Sequence, residues 1–522
     1  MTLDKRVPVR GVVAGLLSGA VGVCVAFLVS GFSGVIGSPV VAVAQLTIDL
    51  SPPPVKNFAI REFGSNDKLV LQIGVLIVLA VFSGFIGVLA QRREANGLIG
   101  VAIFGAVGLI AAGTRPTATA AGLLPSLVGA AAAALALIWL TRAARPPVSR
   151  PATAAGQGRT AVLSVSEPPR RQFMTLGAVA AGVAAASYAG GRMLTERASV
   201  SAAVNSLRLP APATRPPALP AGADLQIPGL SRFATANSAF YRVDTAIVLP
   251  QIAPSSWQLR IHGMVRRELL ISFDELLRRP LTEDYITLTC VSNPVAGPYV
   301  GNARWLGASL GALLREAGIR AGADQLFCTS FDGFTSGTPV QTAMDGRDAL
   351  LAVGMNGRPL PTAHGFPVRT VVPGLYGYVS ACKWITDIEV TTFASNHAYW
   401  TSRGWSQRAP IKTESRIDVP SGQGPVKAGR TAIAGVAWAQ HKGIDAVEVR
   451  VDRGPWRQAK LAAVPGIDTW RQWSADWEAT PGTHRIEARA TDATGYTQTA
   501  LMAPPEPNGA TGYPVVMVTV TS

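Results

Sequence analysis

Residues 346–390 read Gly-Arg-Asp-Ala-Leu-Leu-Ala-Val-Gly-Met-Asn-Gly-Arg-Pro-Leu-Pro-Thr-Ala-His-Gly-Phe-Pro-Val-Arg-Thr-Val-Val-Pro-Gly-Leu-Tyr-Gly-Tyr-Val-Ser-Ala-Cys-Lys-Trp-Ile-Thr-Asp-Ile-Glu-Val. Short β-like runs at 368–372 and 385–390 are separated by Gly and Pro, and similar runs lie upstream at 257–262, 286–291 and 327–330. Helical signals intervene at 272–278, where Ser272 and Glu275 suit a capping box, and at 310–317. A mixed α+β domain over residues 231–395 is the expectation. Cys290 ends the run Tyr285-Ile-Thr-Leu-Thr-Cys and opens Val-Ser-Asn-Pro-Val-Ala-Gly-Pro, which places a thiol at a strand-to-loop junction within reach of chemistry. On spacing alone it reads equally well as a core thiol.

Downstream, runs at 431–438, 446–451, 484–490 and 515–520 alternate between Gly, Pro and Asp, and residues 410–522 are expected to form an antiparallel β-sandwich. Trp456, Trp470 and Trp473 suit core and strand-crossing packing better than a ligand platform.

Upstream the chain is different in kind. Of 522 residues 48% are hydrophobic and 15% charged, and the mean hydropathy is +0.26. This excludes a wholly soluble protein and a mainly disordered one. Apolar stretches at 11–34, 69–90, 97–113 and 121–140 predict a four-helix transmembrane region over residues 1–145. Residues 146–195 follow as a basic cytoplasmic linker, a twin-arginine-like Arg170-Arg171-Gln172-Phe173, and a fifth span at 173–191. Residues 196–230, rich in Pro and Ala, read as a tether. The net charge of +15 could indicate nucleic acid, but residues 1–200 hold 17 Lys/Arg against 7 Asp/Glu, largely arginines flanking the spans. No nucleic-acid partner is expected. With a cytoplasmic N-terminus the cations fall on the inner side, so the C-terminal half is expected to face away from the cytoplasm in a multi-pass plasma-membrane protein.

The four cysteines, Cys24, Cys290, Cys328 and Cys382, include no Cys-x-x-Cys pair, which excludes a disulfide framework and a zinc ribbon. Cys24 and Cys328 read as structural. All five histidines lie beyond the last span, so no haem is expected in the bundle. With almost no Asp, Glu, Lys or Arg inside the spans, anchoring or partner docking is favoured over ion-coupled transport.

Met355-Asn-Gly-Arg-Pro-Leu-Pro, His364-Gly-Phe-Pro-Val-Arg, Val371-Val-Pro-Gly and Lys383-Trp together resemble the signature of the sulfite oxidase family of molybdopterin enzymes. The resemblance extends to Phe240-Tyr241-Arg242-Val243-Asp244, the Leu-Thr-Cys-Val-Ser-Asn around Cys290, Trp305-Leu-Gly-Ala-Ser-Leu and the C-terminal domain, covering residues 231–522 and none of the membrane half. It implies an α+β molybdopterin-binding domain followed by an immunoglobulin-like sandwich that mediates homodimerisation. It also implies one molybdenum-molybdopterin per chain, with Cys290 as metal ligand. Arg369 and Lys383 would receive the pterin's phosphate. His364 would donate to phosphate or a pterin edge, Asp332 would accept from pterin nitrogens, and Ser380 and Cys382 would offer donors. Phe240, Tyr241 and Arg242 match the family's cofactor-contacting strand.

Two departures bear on the substrate. Sulfite-oxidising members follow the ligand cysteine with Ala-Gly-Asn and an arginine pair, whereas here no arginine occurs before Arg304, and Phe334 stands about where those members carry a tyrosine. Sulfite as substrate is therefore in doubt. The expectation is a membrane-anchored oxidoreductase that transfers an oxygen atom to or from a small molecule. With no Cys-x-x-Cys-His motif, it would exchange electrons with a separate partner or a quinone. The rival is a non-catalytic membrane assembly or binding protein that keeps the fold.

Overall fold

The computed structural model describes residues 9–32, 38–52, 67–115, 118–144 and 170–522, with positions 55, 58, 62 and 63. They fall into two compact units, residues 1–199 with 246–251, and residues 200–245 with 252–522.

The first unit contains the helices α1 (Val9–Phe32), α2 (Pro39–Leu50), α3 (Asp67–Arg92), α4 (Glu94–Gly113), α5 (Ala120–Ala144) and α6 (Arg170–Arg197). All except α2 are long and apolar enough to cross a membrane, in agreement with the five predicted stretches. The short stretch at 97–113 gains length by starting at Glu94. The 12-residue α2 is an addition. Ile73, Ile77, Val81 and Phe85 on α3 and Ile99, Ile103 and Ile110 on α4 are exposed, an apolar surface that water disfavours and lipid accepts. Helix α1 packs against α3, α5 and α6. A Cβ on Gly15 would overlap the Ser83 carbonyl, and one on Gly87 would overlap that of Gly11, so the α1 and α3 backbones touch. Gly22 and Gly129 bring α5 in the same way, each 3.0 Å or less from the other's carbonyl once a Cβ is added. Such close approach holds helices together in lipid, where no hydrophobic force does so. Residues 145–169, with Arg145, Arg150 and Arg159, and the Arg170 side chain lie outside the described residues, while Arg171 is exposed.

In the second unit, β1 (Gln258–Gly263), β2 (Leu269–Ser272), β3 (Leu281–Thr289), β4 (Val300–Ser309), β5 (Gln325–Ser330), β6 (Thr335–Pro339), β7 (Leu350–Met355), β8 (Arg358–Pro359), β9 (Arg369–Val371) and β10 (Ile385–Thr391) form two sheets. One has the order β2-β1-β10-β5-β6, parallel only between β1 and β10. The other has the order β3-β4-β7-β8, with β9 also on β7. Ser272 caps the helix Phe273–Leu277 through the predicted capping box with Glu275. Trp305 on β4 is fully buried among Phe240, Ile286, Leu350, Phe366 and Val371, and its indole donates to Ile286 O at 3.0 Å.

The β-rich C-terminal part comprises β11 (Glu414–Val419), β12 (Val426–Lys427), β13 (Gly429–Trp438), β14 (Ile444–Val451), β15 (Arg457–Gln458), β16 (Lys460–Leu461), β17 (Arg471–Ala479), β18 (Gly482–Asp492) and β19 (Val515–Thr521). Two sheets, β11-β13-β17-β16 and β12-β19-β18-β14-β15, enclose Ile433, Trp473, Trp477, Ile486 and Val518. Trp470 and Trp473 are buried as expected, and Trp456 lies between Arg450 and Arg489, 4.4 Å from each.

The segment expected to be a tether is docked instead. Val200 is buried in the β4 core with Val204 and Leu207 packed against it, Ala213 N–H donates to Leu281 O at 2.8 Å, and Thr214 bridges Thr282. Pro-rich backbone forms no internal hydrogen bonds, which leaves its peptide groups free for the exposed edge of β3.

Candidate active site

Residues 362–385 fold back on themselves through a turn at Thr362–His364, strand β9, and the short helix Gly377–Ser380. Thr370 N–H donates to Cys382 O at 3.0 Å, and Cys382 N–H donates to Thr370 Oγ1 at 2.7 Å. The fold-back brings Arg369 and Lys383 to either side of Gly365, where a Cβ would lie 3.0 Å from Arg369 Cβ and 3.2 Å from Lys383 Cβ. Gly365 has φ +107°, a conformation glycine adopts without strain.

Arg369 is 3% exposed. Its guanidinium donates to the carbonyls of Thr370, His364 and Ala381, at 3.3, 3.2 and 3.4 Å, and lies over the Trp305 ring at 5.0 Å. Among the described residues no carboxylate forms an ion pair with it. Burial pushes its pKa down to about 10. Lys383 Nζ, by contrast, pairs with Asp244 Oδ2 at 2.8 Å and donates to Ala363 O at 3.1 Å. Burial, with Arg369 and Arg242 adding to it, still holds Lys383 down to about 8. Asp244 is also held by Arg242 through Nε at 2.8 Å. Arg242 and Lys383 thus share one carboxylate while Arg369 has none, leaving positive charge that favours an anion.

His364 is buried, with Nε2 3.1 Å from Asn237 O. Only a protonated Nε2 can donate to a carbonyl, so in the neutral ring Nδ1 is an acceptor, and among the described residues it has no partner. Burial, then Lys383 and Arg369, lowers the pKa of His364 to about 4, which keeps the ring neutral. In the neutral ring, the nitrogen left without a partner among the described residues is therefore an acceptor. Phe240 meets His364 edge-on at 5.6 Å and stacks on Tyr241 at 5.2 Å.

Strand β3 runs antiparallel to β4 from Leu281 opposite Ala308 to Thr289 opposite Val300, and Cys290 opens the connecting loop. Cys290 N–H donates to Tyr299 O at 2.9 Å, and Sγ lies 2.9 Å from Ser292 Oγ. Burial raises the thiol pKa, while Ser292 and the Lys383 charge oppose the rise. Burial also raises the Tyr241 phenol, with Cys290 adding to this and Arg369 opposing it. Cys290, Tyr241, Arg369 and Lys383 therefore share one electrostatic neighbourhood.

The remaining expected residues are engaged locally. Ser380 Oγ donates to Leu375 O and Tyr376 O, both at 3.1 Å, and the Cys382 amide is held by Thr370, so both brace their own loop. Asp332 accepts from Phe334 N–H at 3.3 Å in the β5–β6 turn. Phe334 lies 5.8 Å from the Tyr399 ring, and Arg304 pairs with Glu283 at 3.2 Å. Sequence reasoning quoted Asp244 without a role and passed over Asn237, whose contribution is a backbone carbonyl and leaves no side-chain signal. None of the expected residues lines a separate cavity of about 370 Å³ bordered by Thr235, Tyr285, Arg304 and Asn356.

The domain family described as "Oxidoreductase molybdopterin binding domain" matches residues 246–400. Sulfite oxidase of Gallus gallus is 31% identical over 321 residues, covering 52% of this chain and 70% of that protein. Mitochondrial sulfite oxidase of Mus musculus is 30% identical over 289 residues, covering 46% of this chain and 52% of the mouse protein; the match thus spans about half the length of that relative. The solved sulfane dehydrogenase SoxCD of Paracoccus pantotrophus is 23% identical, covers 56% of this chain and 84% of that one, and superposes with a TM-score of 0.49.

Proposed function

Because the chain belongs to the sulfite oxidase family of molybdopterin-binding oxidoreductases, we propose that it is a membrane-anchored molybdopterin-dependent enzyme whose metal is held by Cys290. The observation that carries the proposal is Arg369, a buried guanidinium that meets carbonyls and, among the described residues, no carboxylate. The pterin's phosphate supplies the missing anion, and the donor set fits it: a planar fork from Arg369 and a point charge from Lys383. The unpartnered His364 Nδ1 suits a donor edge of the same group. Cys290, beside Ser292 and under the influence of Lys383, suits a soft-ligand site once its proton is displaced. Phe240 and Tyr241 provide the wall, Arg242 steadies Asp244, and Asp332 accepts from the pterin at the loop edge. Ser380 and Cys382 keep the 369–383 turn in shape.

When bound, the molybdenum centre supplies two-electron oxygen-atom transfer. The chain contributes binding, orientation and exclusion of water: Arg369 and Lys383 fix the phosphate, and neutral His364 adds no charge to theirs. The loop after Cys290 contains no Lys or Arg, and Arg304 is already paired with Glu283. A dianion such as sulfite would find no cation supplied by that loop, which argues for a less charged substrate. Electrons pass to a separate partner or a quinone. The five apolar helices anchor the protein with its catalytic part outside the cytoplasm, and the C-terminal sandwich is immunoglobulin-like and supports a homodimer.

Metal analysis of the purified full chain tests this reading. About one molybdenum per chain, lost in Cys290→Ser, is the expected result. Correctly exported wild type without molybdenum would overturn it in favour of a non-catalytic binding protein.

A further inference from the structure

Strand β3, which carries Cys290 at its end, is the outer strand of its sheet, and such a strand presents peptide groups with no ladder partner. Near Cys290 those groups are taken up by the C-terminal sandwich. Thr287 N–H donates to Asp468 O at 2.9 Å, and Trp470 N–H donates to Thr287 Oγ1 at 2.7 Å. Gln440, 3% exposed, donates through Nε2 to Thr287 O at 3.0 Å and to Thr289 Oγ1 at 3.2 Å. On the far side of the cysteine loop, Arg416 donates to Gly297 O at 3.2 Å while Asp418 holds its Nε at 2.6 Å. The loop is thus gripped at both flanks by side chains of another domain, and Thr289, the residue next to Cys290, is one of the grip points.

We propose that Gln440 is a positioning residue for the metal ligand: by binding Thr287 and Thr289 it sets where Cys290 Sγ stands, so that the C-terminal sandwich forms part of the active-site scaffold. The inference rests on the reading of Cys290 as the molybdenum ligand. Among the described residues Gln440 Oε1 has no hydrogen-bond partner, so both of this side chain's hydrogen bonds go to β3. A residue retained for core packing alone would be apolar at this burial.

The test uses the full chain in detergent, as wild type, Gln440→Met, Thr289→Val and the double variant. Glu487→Met serves as a control, since Glu487 is another buried polar side chain of the sandwich, accepting from Arg450 at 2.8 Å and making no contact with the cysteine loop among the described residues. Amide exchange across 290–299 is expected to rise roughly tenfold in Gln440→Met, the equivalent of one lost hydrogen bond. In molybdenum-loaded protein, the molybdenum(V) paramagnetic resonance signal is expected to shift. Thr289→Val should reproduce both changes, and the double variant should add nothing to either. Glu487→Met should lose stability and change neither readout. A folded Gln440→Met protein with wild-type exchange at 290–299 would overturn the proposal, as would an unchanged signal. If wild type holds no molybdenum, the proposed function fails instead, and exchange alone decides the role of Gln440.

Discussion

Replacing Arg369 with methionine should stabilise the cofactor-free protein and destabilise the loaded one. Burial lowers the guanidinium pKa to about 10. At ~1.4 kcal/mol per pH unit below the ordinary arginine value near 12.5, the buried charge is penalised by about 3 kcal/mol. Methionine keeps the apolar stem against Trp305 and removes the charge. It also loses three hydrogen bonds to carbonyls whose lengths, 3.2 to 3.4 Å, lie at or beyond the ordinary range, which reduces them to roughly 0.5 kcal/mol each, below the usual value for a charged donor. The balance is a gain of about 1–2 kcal/mol, or ~2–4 °C in Tm for a unit of this size. With the cofactor bound the sign reverses, because a bidentate contact to phosphate contributes about 3 kcal/mol and its loss weakens retention roughly 100-fold. Thermal unfolding followed by tryptophan fluorescence, on protein prepared with and without molybdopterin, reads both signs. A cofactor-free Arg369→Met protein that melts below wild type would refute the argument that this charge is frustrated. Undiminished retention would refute its role as phosphate holder.

Glu414 is 4% exposed, and burial raises its pKa to about 8 against the opposing Lys412 charge. The folded state therefore holds a proton that the unfolded chain releases above about pH 4.3, so stability is full below that pH and is lost as pH rises towards 8. Glu414→Gln should match wild type near pH 4 and exceed it by about 3 kcal/mol at pH 7 in denaturant titrations. Gly365→Ala should cost about 1–2 kcal/mol, from the positive φ and the approach to Arg369 and Lys383, and should lower the molybdenum content measured on purified protein. Gly87→Ile should drive α3 away from α1 and lower the detergent melting midpoint of the helical unit. Replacing Arg170 and Arg171 with lysine should leave the C-terminal half inside the cell in protease-protection assays; unchanged export would rule out the twin-arginine route.

Features generated by local chemistry were legible in the sequence. The five long helices follow from apolar length alone, and the Ser272–Glu275 box from two side chains three residues apart. Strand β7 was not legible, because all six of its residues are buried and a continuous apolar run carries no period of two. Strand β17 begins with the Trp-bearing stretch that was read only for packing. At the site, His364, Arg369 and Lys383 could be named from the sequence, but their roles depended on neighbours far along the chain. Asn237 O decides which nitrogen of His364 is free, Asp244 decides that Lys383 is paired, and Trp305 lies beneath Arg369. Each is a long-range contact with no fixed spacing from which to read it.

The grip on β3 also sets an order in time. Gln440 lies 153 residues after Thr287, and Trp470 lies 183 after it. While the chain is being synthesised, the cysteine strand is made long before the groups that complete its outer edge. Only as residues 416 to 470 emerge do the far side of the loop and then the outer edge of β3 gain these contacts. On the proposed reading of Cys290, the site is complete for its cofactor only once residues 410–522 have folded.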